Sequence, residues 1–292
     1  MELPDLKKIT TDKIEYPFLQ TKNVQLDVLR LDKIHPVISG NKWFKLKYHL
    51  DNFNAGNYNG IISFGGAWSN HIVATACACY LKKIKCTGII RGERPPKLSA
   101  TLLEAGKYEM DLKFISRETY AKKNSDEFLE SIKKEFPGHY IIPEGGAGKV
   151  GEKGAGEILQ YVDEKNYTHI ACAVGTGTML NGIKDASSAD QNILGIVVLK
   201  GWKVENETNN IAWFLNYHFG GYAKYDLTLI DFMNDFFRLT NIPTDFVYTG
   251  KLAFALFDLI KKNHFTPGSK ILMIHSGGLQ GNASLQKGSL IF

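Results

Sequence analysis

Eight short apolar runs, separated by stretches with helical spacing, constrain this chain more than any other feature of its sequence. The runs are VQLDVLRL (24–31), GIISF (60–64), CTGII (86–90), DLKFI (111–115), HYIIP (139–143), THIACAV (168–174), NILGIVVL (192–199) and KILMIH (270–275). Between and around them the spacing predicts helices over 43–54, 70–83, 97–106, 124–136, 151–164, 178–186, 204–217, 231–240 and 251–263. Strand-like runs alternating with amphipathic helices are the pattern of parallel sheets covered by helices, an α/β fold.

A chain of 292 residues, 44% hydrophobic and 12% aromatic, buries a large core and forms one or two domains. It has no internal repeat, low-complexity tract or long Pro/Ser linker, so two domains would have to pack intimately. The glycine cluster PEGGAGKVGEKGAG (143–156) is the best candidate crossover, because glycine lets the chain turn sharply.

Charge and side-chain chemistry exclude several classes. The net charge of +5 comes from scattered lysines with no basic block, so no nucleic-acid partner is expected. The first residues lack an apolar signal core, and the longest apolar run, IVATACACYL, is too short to cross a bilayer, so no membrane association and a cytoplasmic location are expected. Cys77, Cys79, Cys86 and Cys172 lie in apolar stretches without CxxC spacing and read as small core residues. The eight histidines are dispersed, with no HExxH or comparable cluster, and no metal is expected.

Three strand-to-helix junctions carry possible chemistry. In SFGGAWSNHIVATACA, Ser69-Asn70 opens an apolar helix, and taken alone Ser69 reads as its cap. In HIACAVGTGTMLNGI, Gly175, Thr176, Gly177 and Thr178 form a turn whose N–H groups, with the positive helix end, suit a small phosphate. It is neither a P-loop nor a full GxGxxG. In KILMIHSGGLQGN, a late strand delivers Ser276-Gly277-Gly278 to its C-terminal edge, where ligands of open α/β sheets sit. A further turn, SGNKWFKLKYHL, places Lys42 at a helix start, where the macrodipole disfavours a cation. Alone, it reads equally as a solvated lysine or a functional one. A lysine beside a phosphate cradle suits a carbonyl cofactor with a pyridine ring: the amine condenses with the aldehyde and the ring serves as electron sink.

With LRLD (29–32), IPEGGAGKVGEKG and VYTGK added to these segments, the sequence resembles the pyridoxal-phosphate enzymes of fold type II, and among them the D-cysteine desulfhydrase and 1-aminocyclopropane-1-carboxylate deaminase group. The resemblance covers most of the chain. It implies two three-layer parallel-sheet domains of the tryptophan synthase β-subunit-like kind: a large cofactor-binding domain from 1–45 and 150–292, and a small α/β domain from 46–149. It also implies a homodimer.

Residue by residue, the resemblance implies that Lys42 holds pyridoxal 5'-phosphate covalently, that Asn70 bonds its ring hydroxyl, and that Gly175, Thr176, Gly177 and Thr178 hold its phosphate. Ser69, Asn70 and His71 would meet the substrate carboxylate. Tyr248 and, on a poorer match, Tyr222 would be catalytic. Thr249 and Ser276 would lie near the ring nitrogen, at positions where the deaminase branch carries glutamate and leucine. Two hydroxyls there favour β-elimination from a small amino acid, D-cysteine first, over cyclopropane ring opening; a racemase or dehydratase is a further alternative. Trp68, Trp43 and Phe44 depart from the family pattern and are expected to narrow or reshape the substrate entrance. Residues 200–220 have no clear family equivalent.

Overall fold

The computed structural model describes residues 2–204 and 210–292. In chain order the elements are β1 (Thr11–Lys13), α1 (Pro17–Thr21), β2 (Gln25–Arg30), α2 (Asn41–Ala55), β3 (Gly60–Gly65), α3 (Asn70–Leu81), β4 (Cys86–Arg91), α4 (Ala100–Lys107), β5 (Asp111–Ile115), α5 (Arg117–Ala121), α6 (Asp126–Glu135) and β6 (His139–Ile142). There follow α7 (Lys149–Gly156), β7 (His169–Val174), α8 (Thr178–Ala186), β8 (Asn192–Val197), β9 (Ile211–Phe214), α9 (Leu227–Thr240), α10 (Thr249–Lys261) and β10 (Lys270–His275).

The strands form two sheets. One has the order β1-β2-β10-β7-β8-β9 and is parallel except for the edge strand β1; the other has the order β5-β4-β3-β6 and is parallel throughout. All eight expected strands are present. The last of them in sequence, β10, lies in the middle of the larger sheet, with Met273 between Val28 and Ala171. Its residues alternate between two cores: Ile271 and Met273 face one, Leu272 and Ile274 the other. Strands buried on both faces account for the continuous apolar runs of the sequence.

Helix starts follow their caps. Ser69, Ser99, Ser125 and Asp226 each accept a hydrogen bond from a first-turn N–H of the helix they precede. Every residue of α3 from Asn70 to Cys79 is buried, which its apolar composition requires. All four cysteines are buried. Among the described residues no helix is long and apolar enough to cross a membrane.

Three expectations need correction. The glycine cluster does carry the chain from the smaller sheet toward the larger, turning at Gly145, Gly146 and Gly148 with positive φ, and its second half is α7, whose small residues let backbones touch. A Cβ on Gly154 would lie 1.9 Å from Phe44 O, and one on Gly151 would lie 1.8 Å from Gly146 O. The helix expected over 151–164 therefore starts earlier and stops at Gly156, with a 3-10 turn over Glu157–Tyr161.

The helix expected over 204–217 is absent from its described part. Ile211–Phe214 instead adds β9 to β8, with Ile211 and Trp213 packed on one side and Ala212 and Phe214 on the other. Residues 205–209 of that expectation lie outside the described residues. Phe44 does not narrow an entrance: it is fully buried, edge-on to Tyr161 at 5.7 Å. Trp43 is half-buried between two core clusters, and of the three rings only Trp68, 38% exposed, projects from the surface.

Candidate active site

The turn before α2 is locked to the end of β10. Gly40 has φ +62°, and a Cβ there would fall 2.0 Å from Ser276 O, so only glycine fits. The next residue, Asn41, donates its N–H to Ser276 O at 3.2 Å. Its side chain reaches Met179 Sδ in the first turn of α8, with Nδ2 at 3.3 Å. Lys42 Nζ donates to Asn41 Oδ1 at 2.7 Å and lies 5.9 Å from the centre of the Tyr248 ring. That ring in turn covers the 175–178 turn, since a Cβ on Gly175 would stand 3.1 Å from Tyr248 Cε1. Lysine, tyrosine and glycine turn, far apart in sequence, thus share one neighbourhood.

The electrostatics favour an amine over an ammonium. Burial lowers the pKa of Lys42 to about 8, opposed by the charge of Asp245. Lys45, one helical turn on, is 5% exposed, and burial followed by the charge of Lys42 brings it to about 7. No carboxylate salt-bridges Lys45 among the described residues. The sequence reading passed over Lys45, although spacing of three on a helix puts it on the face of Lys42.

At the start of α3, Ser69 Oγ accepts from Ile72 N at 3.3 Å, so Ser69 is the helix cap. Asn70 donates Nδ2 to Gly278 O at 3.2 Å, while its buried Oδ1 has no partner. His71 is turned toward β3. Ser63 Oγ donates to Ile142 O at 3.2 Å, so its one hydrogen is used and the 2.9 Å contact assigns the proton of His71 to Nε2. Burial, then the charges of Lys42 and Lys45, hold the His71 pKa well below its usual value. A neutral ring engaged with Ser63 leaves the backbone of the α3 first turn, not the imidazole, as the available donor.

Gly177 has φ +79° and caps α8 without a side-chain hydrogen bond, so the N–H groups of that first turn remain open. Thr176 and Thr178 join hydroxyls at 3.0 Å. Ser276 is buried beneath Gly40. Tyr222, 41% exposed, sits edge-on to Tyr248 with ring centres 6.2 Å apart. Burial, then the neighbouring Tyr222 and Asp245, push the Tyr248 phenol well above its usual pKa.

Thr249 leads to a residue that sequence reasoning missed. Its Oγ1 donates to Asp245 Oδ1 at 2.7 Å and accepts from Asp245 N at 2.8 Å. The same carboxylate also accepts from the N–H groups of Val247, Tyr248 and Thr249 at 3.0, 2.9 and 2.9 Å. Asp245 is fully buried, and burial raises its pKa against the hydrogen bonds from Thr249 that lower it. A Cβ on Gly278 would lie 3.8 Å from Asp245 Cγ and 3.0 Å from Asn70 Nδ2, which places the acid beside Asn70. An acidic residue four positions before a threonine at a helix start was the available signal.

This donor set fits pyridoxal phosphate. Asn70 Oδ1 is a buried acceptor awaiting a hydroxyl, Lys45 is a buried amine that a neighbouring anion would charge, and the α8 turn presents open N–H groups. Surface hollows of about 530 Å³ beside β5 and about 560 Å³ between α7 and α8 contain none of these residues.

No protein-family model matches the chain. It is 30% identical over 275 residues to a protein of Pyrococcus horikoshii provisionally named 1-aminocyclopropane-1-carboxylate deaminase, covering 84% of this chain and 81% of that one. It is 27% identical over 279 residues to the mitochondrial bifunctional D-cysteine desulfhydrase/1-aminocyclopropane-1-carboxylate deaminase of Arabidopsis thaliana, covering 84% and 70%. Among solved structures, an ACC deaminase homologue superposes with a TM-score of 0.79 at 24% identity, over 96% of this chain and 93% of that one. A hydrogen sulfide-producing enzyme of Fusobacterium nucleatum gives 0.65 at 17%, over 95% and 96%. Sequence likeness over most of the chain and a shared two-sheet architecture lead to one conclusion: this chain belongs to the 1-aminocyclopropane-1-carboxylate deaminase/D-cysteine desulfhydrase family of pyridoxal-phosphate enzymes, fold type II.

Proposed function

We propose that the protein is a pyridoxal-phosphate-dependent lyase that converts a small β-substituted amino acid, D-cysteine first, with water to pyruvate, ammonia and the released β-group, which from D-cysteine is sulfide. The observation that carries this reading is the Lys42 amine, held by Asn41 and facing the Tyr248 ring that covers the glycine turn. Pyridoxal phosphate, when bound, supplies the electron sink for the charge left at the substrate α-carbon.

The chain's own residues supply the rest. The first-turn N–H groups of α8 would hold the phosphate, whose charge would keep Lys45 protonated beside it, and Asn70 Oδ1 would accept from the ring hydroxyl. The α3 first turn at Ser69, Asn70 and His71 takes the substrate carboxylate, a helix N-terminus being suited to an anion. Lys42, with its pKa near 8, takes the α-proton at Nζ. Tyr248, whose phenol keeps its proton, gives it to the departing thiolate with Tyr222 alongside. Threonine and serine at 249 and 276, where glutamate and leucine would favour ring opening, support elimination, although the Thr249 hydroxyl gives its own proton to Asp245. Opening of 1-aminocyclopropane-1-carboxylate is the second reading, favoured by the names of the relatives from Pyrococcus horikoshii and Arabidopsis thaliana.

The division into a large domain of 1–45 and 150–292 and a small one of 46–149, and assembly as a homodimer, belong to this proposal. The larger sheet draws its strands from 11–30 and 169–275 and the smaller from 60–142, which supports the division. The test measures pyruvate release from D-cysteine, L-cysteine and 1-aminocyclopropane-1-carboxylate side by side, with the visible spectrum of the purified protein. Lys42→Ala should abolish both the cofactor absorption and turnover. Normal turnover in that variant, or no pyruvate from any substrate with the wild type, overturns the proposal.

A further inference from the structure

The last residue of VYTGK, Lys251, has no place in the chemistry above, yet it is fully buried in the first turn of α10. Both desolvation and the helix dipole oppose an ammonium there. Burial lowers its pKa to about 8, with the charge of Asp245 acting the other way. No carboxylate salt-bridges it among the described residues. Its Nζ donates instead to two backbone carbonyls, His218 O at 2.8 Å and Gly221 O at 2.9 Å.

Those carbonyls bracket a turn that does not hold itself cheaply. Phe219, Gly220, Gly221 and Ala223 have φ of 52°, 93°, 123° and 53°, so two side-chain-bearing residues occupy the left-handed region. Such residues are strained and persist only where the surroundings over-determine them. The turn's own bonds are few: Gly220 N to His218 Nδ1 at 2.9 Å, Gly221 N to His218 O at 3.0 Å and Lys224 N to Gly221 O at 3.2 Å. The residue it presents is Tyr222, set against Tyr248. A methionine at position 251 would fill similar volume without the desolvation cost, so the amine is needed for what it binds.

We infer that Lys251 is a positioning residue: its ammonium clamps the 218–221 turn and so holds Tyr222 beside Tyr248 at the mouth of the site. The role of Tyr222 rests on the function proposed above; the clamp itself does not. The holoenzyme and its Lys251→Met, Tyr222→Phe and double variants would be compared by amide hydrogen exchange and by D-cysteine kinetics. Lys251→Met should speed exchange at residues 219–224 by about tenfold or more while the amides of α10 stay protected. Its kcat should fall to about that of Tyr222→Phe, with KM and cofactor absorption near wild type, and the two changes should not add.

Unchanged exchange at 219–224 overturns the clamp. A loss of activity as large in the Tyr222→Phe background as in the wild type overturns the positioning role, because general loosening would be additive. If the wild type turned over no substrate, the proposed lyase activity would fail, while the exchange measurement would still decide the clamp.

Discussion

A lysine near a helix start looks ordinary in sequence; what sets Lys42 apart is the environment that the fold gives it. At pH 7 an amine of pKa about 8 is roughly one-tenth neutral, against about one part in three thousand for an unperturbed lysine. Protein stripped of cofactor should therefore capture pyridoxal phosphate at a rate that climbs about tenfold per pH unit and levels off above about 8. Stopped-flow absorbance checks this; a rate still rising at pH 10 would count against the assignment. Asp245 favours the charged form, so Asp245→Asn should move the inflection to lower pH. Asn70→Ala removes the buried acceptor and should weaken cofactor binding about tenfold, measured by absorbance titration of the same stripped protein. The spacing of Lys45 from Lys42 and of Asp245 from Thr249 was legible, but their burial was not, because burial depends on elements far apart in the chain.

Elements were legible where one period dominated. The eight apolar runs are strands, and serine or aspartate caps mark the starts of α3, α4, α6 and α9. Ile211–Phe214 failed because four residues of alternation, next to the polar stretch that precedes them, are too few to distinguish a strand from one face of a helix. In 143–156 the glycines signalled a sharp turn, which Gly145, Gly146 and Gly148 make with positive φ, but they did not signal a second use, the contact of α7 with α2 at backbone distance.

That use predicts opposite outcomes for one chemical change. Gly154→Ala drives a methyl into Phe44 O and should cost about 2 to 3 kcal/mol, lowering the melting midpoint by roughly 4 °C. Gly106→Ala, exposed near the end of α4 with nothing within 4 Å of the new carbon, should stabilise by about 0.5 to 1 kcal/mol. Thermal melts of the two variants decide it, and equal shifts of one sign would refute the packing argument.

At the scale of the whole molecule, parallel α/β architecture was readable from the alternation, but strand order was not. Nothing local tells β10, last in the chain, to enter between β2 and β7, a choice made by the two cores its alternate residues serve. This order matters for function, since the site gathers the loops that follow β7 and β10 from one sheet and β3 from the other. Asn70, at the end of the loop after β3, bonds Gly278 after β10, and few other polar contacts join these loops among the described residues. A ligand bonded to Lys42, the 175–178 turn and Asn70 together would tie the sheets far more firmly. Cofactor at a hundredfold excess over its dissociation constant should stabilise the fold by about 2.7 kcal/mol, raising the midpoint by roughly 4 to 5 °C in one cooperative transition. Calorimetry with and without cofactor tests the coupling, and Lys42→Ala should show a smaller shift because only the non-covalent contacts remain. Separate melting of two units in the presence of cofactor, with only one of them shifted, would mean that the ligand is held by a single sheet.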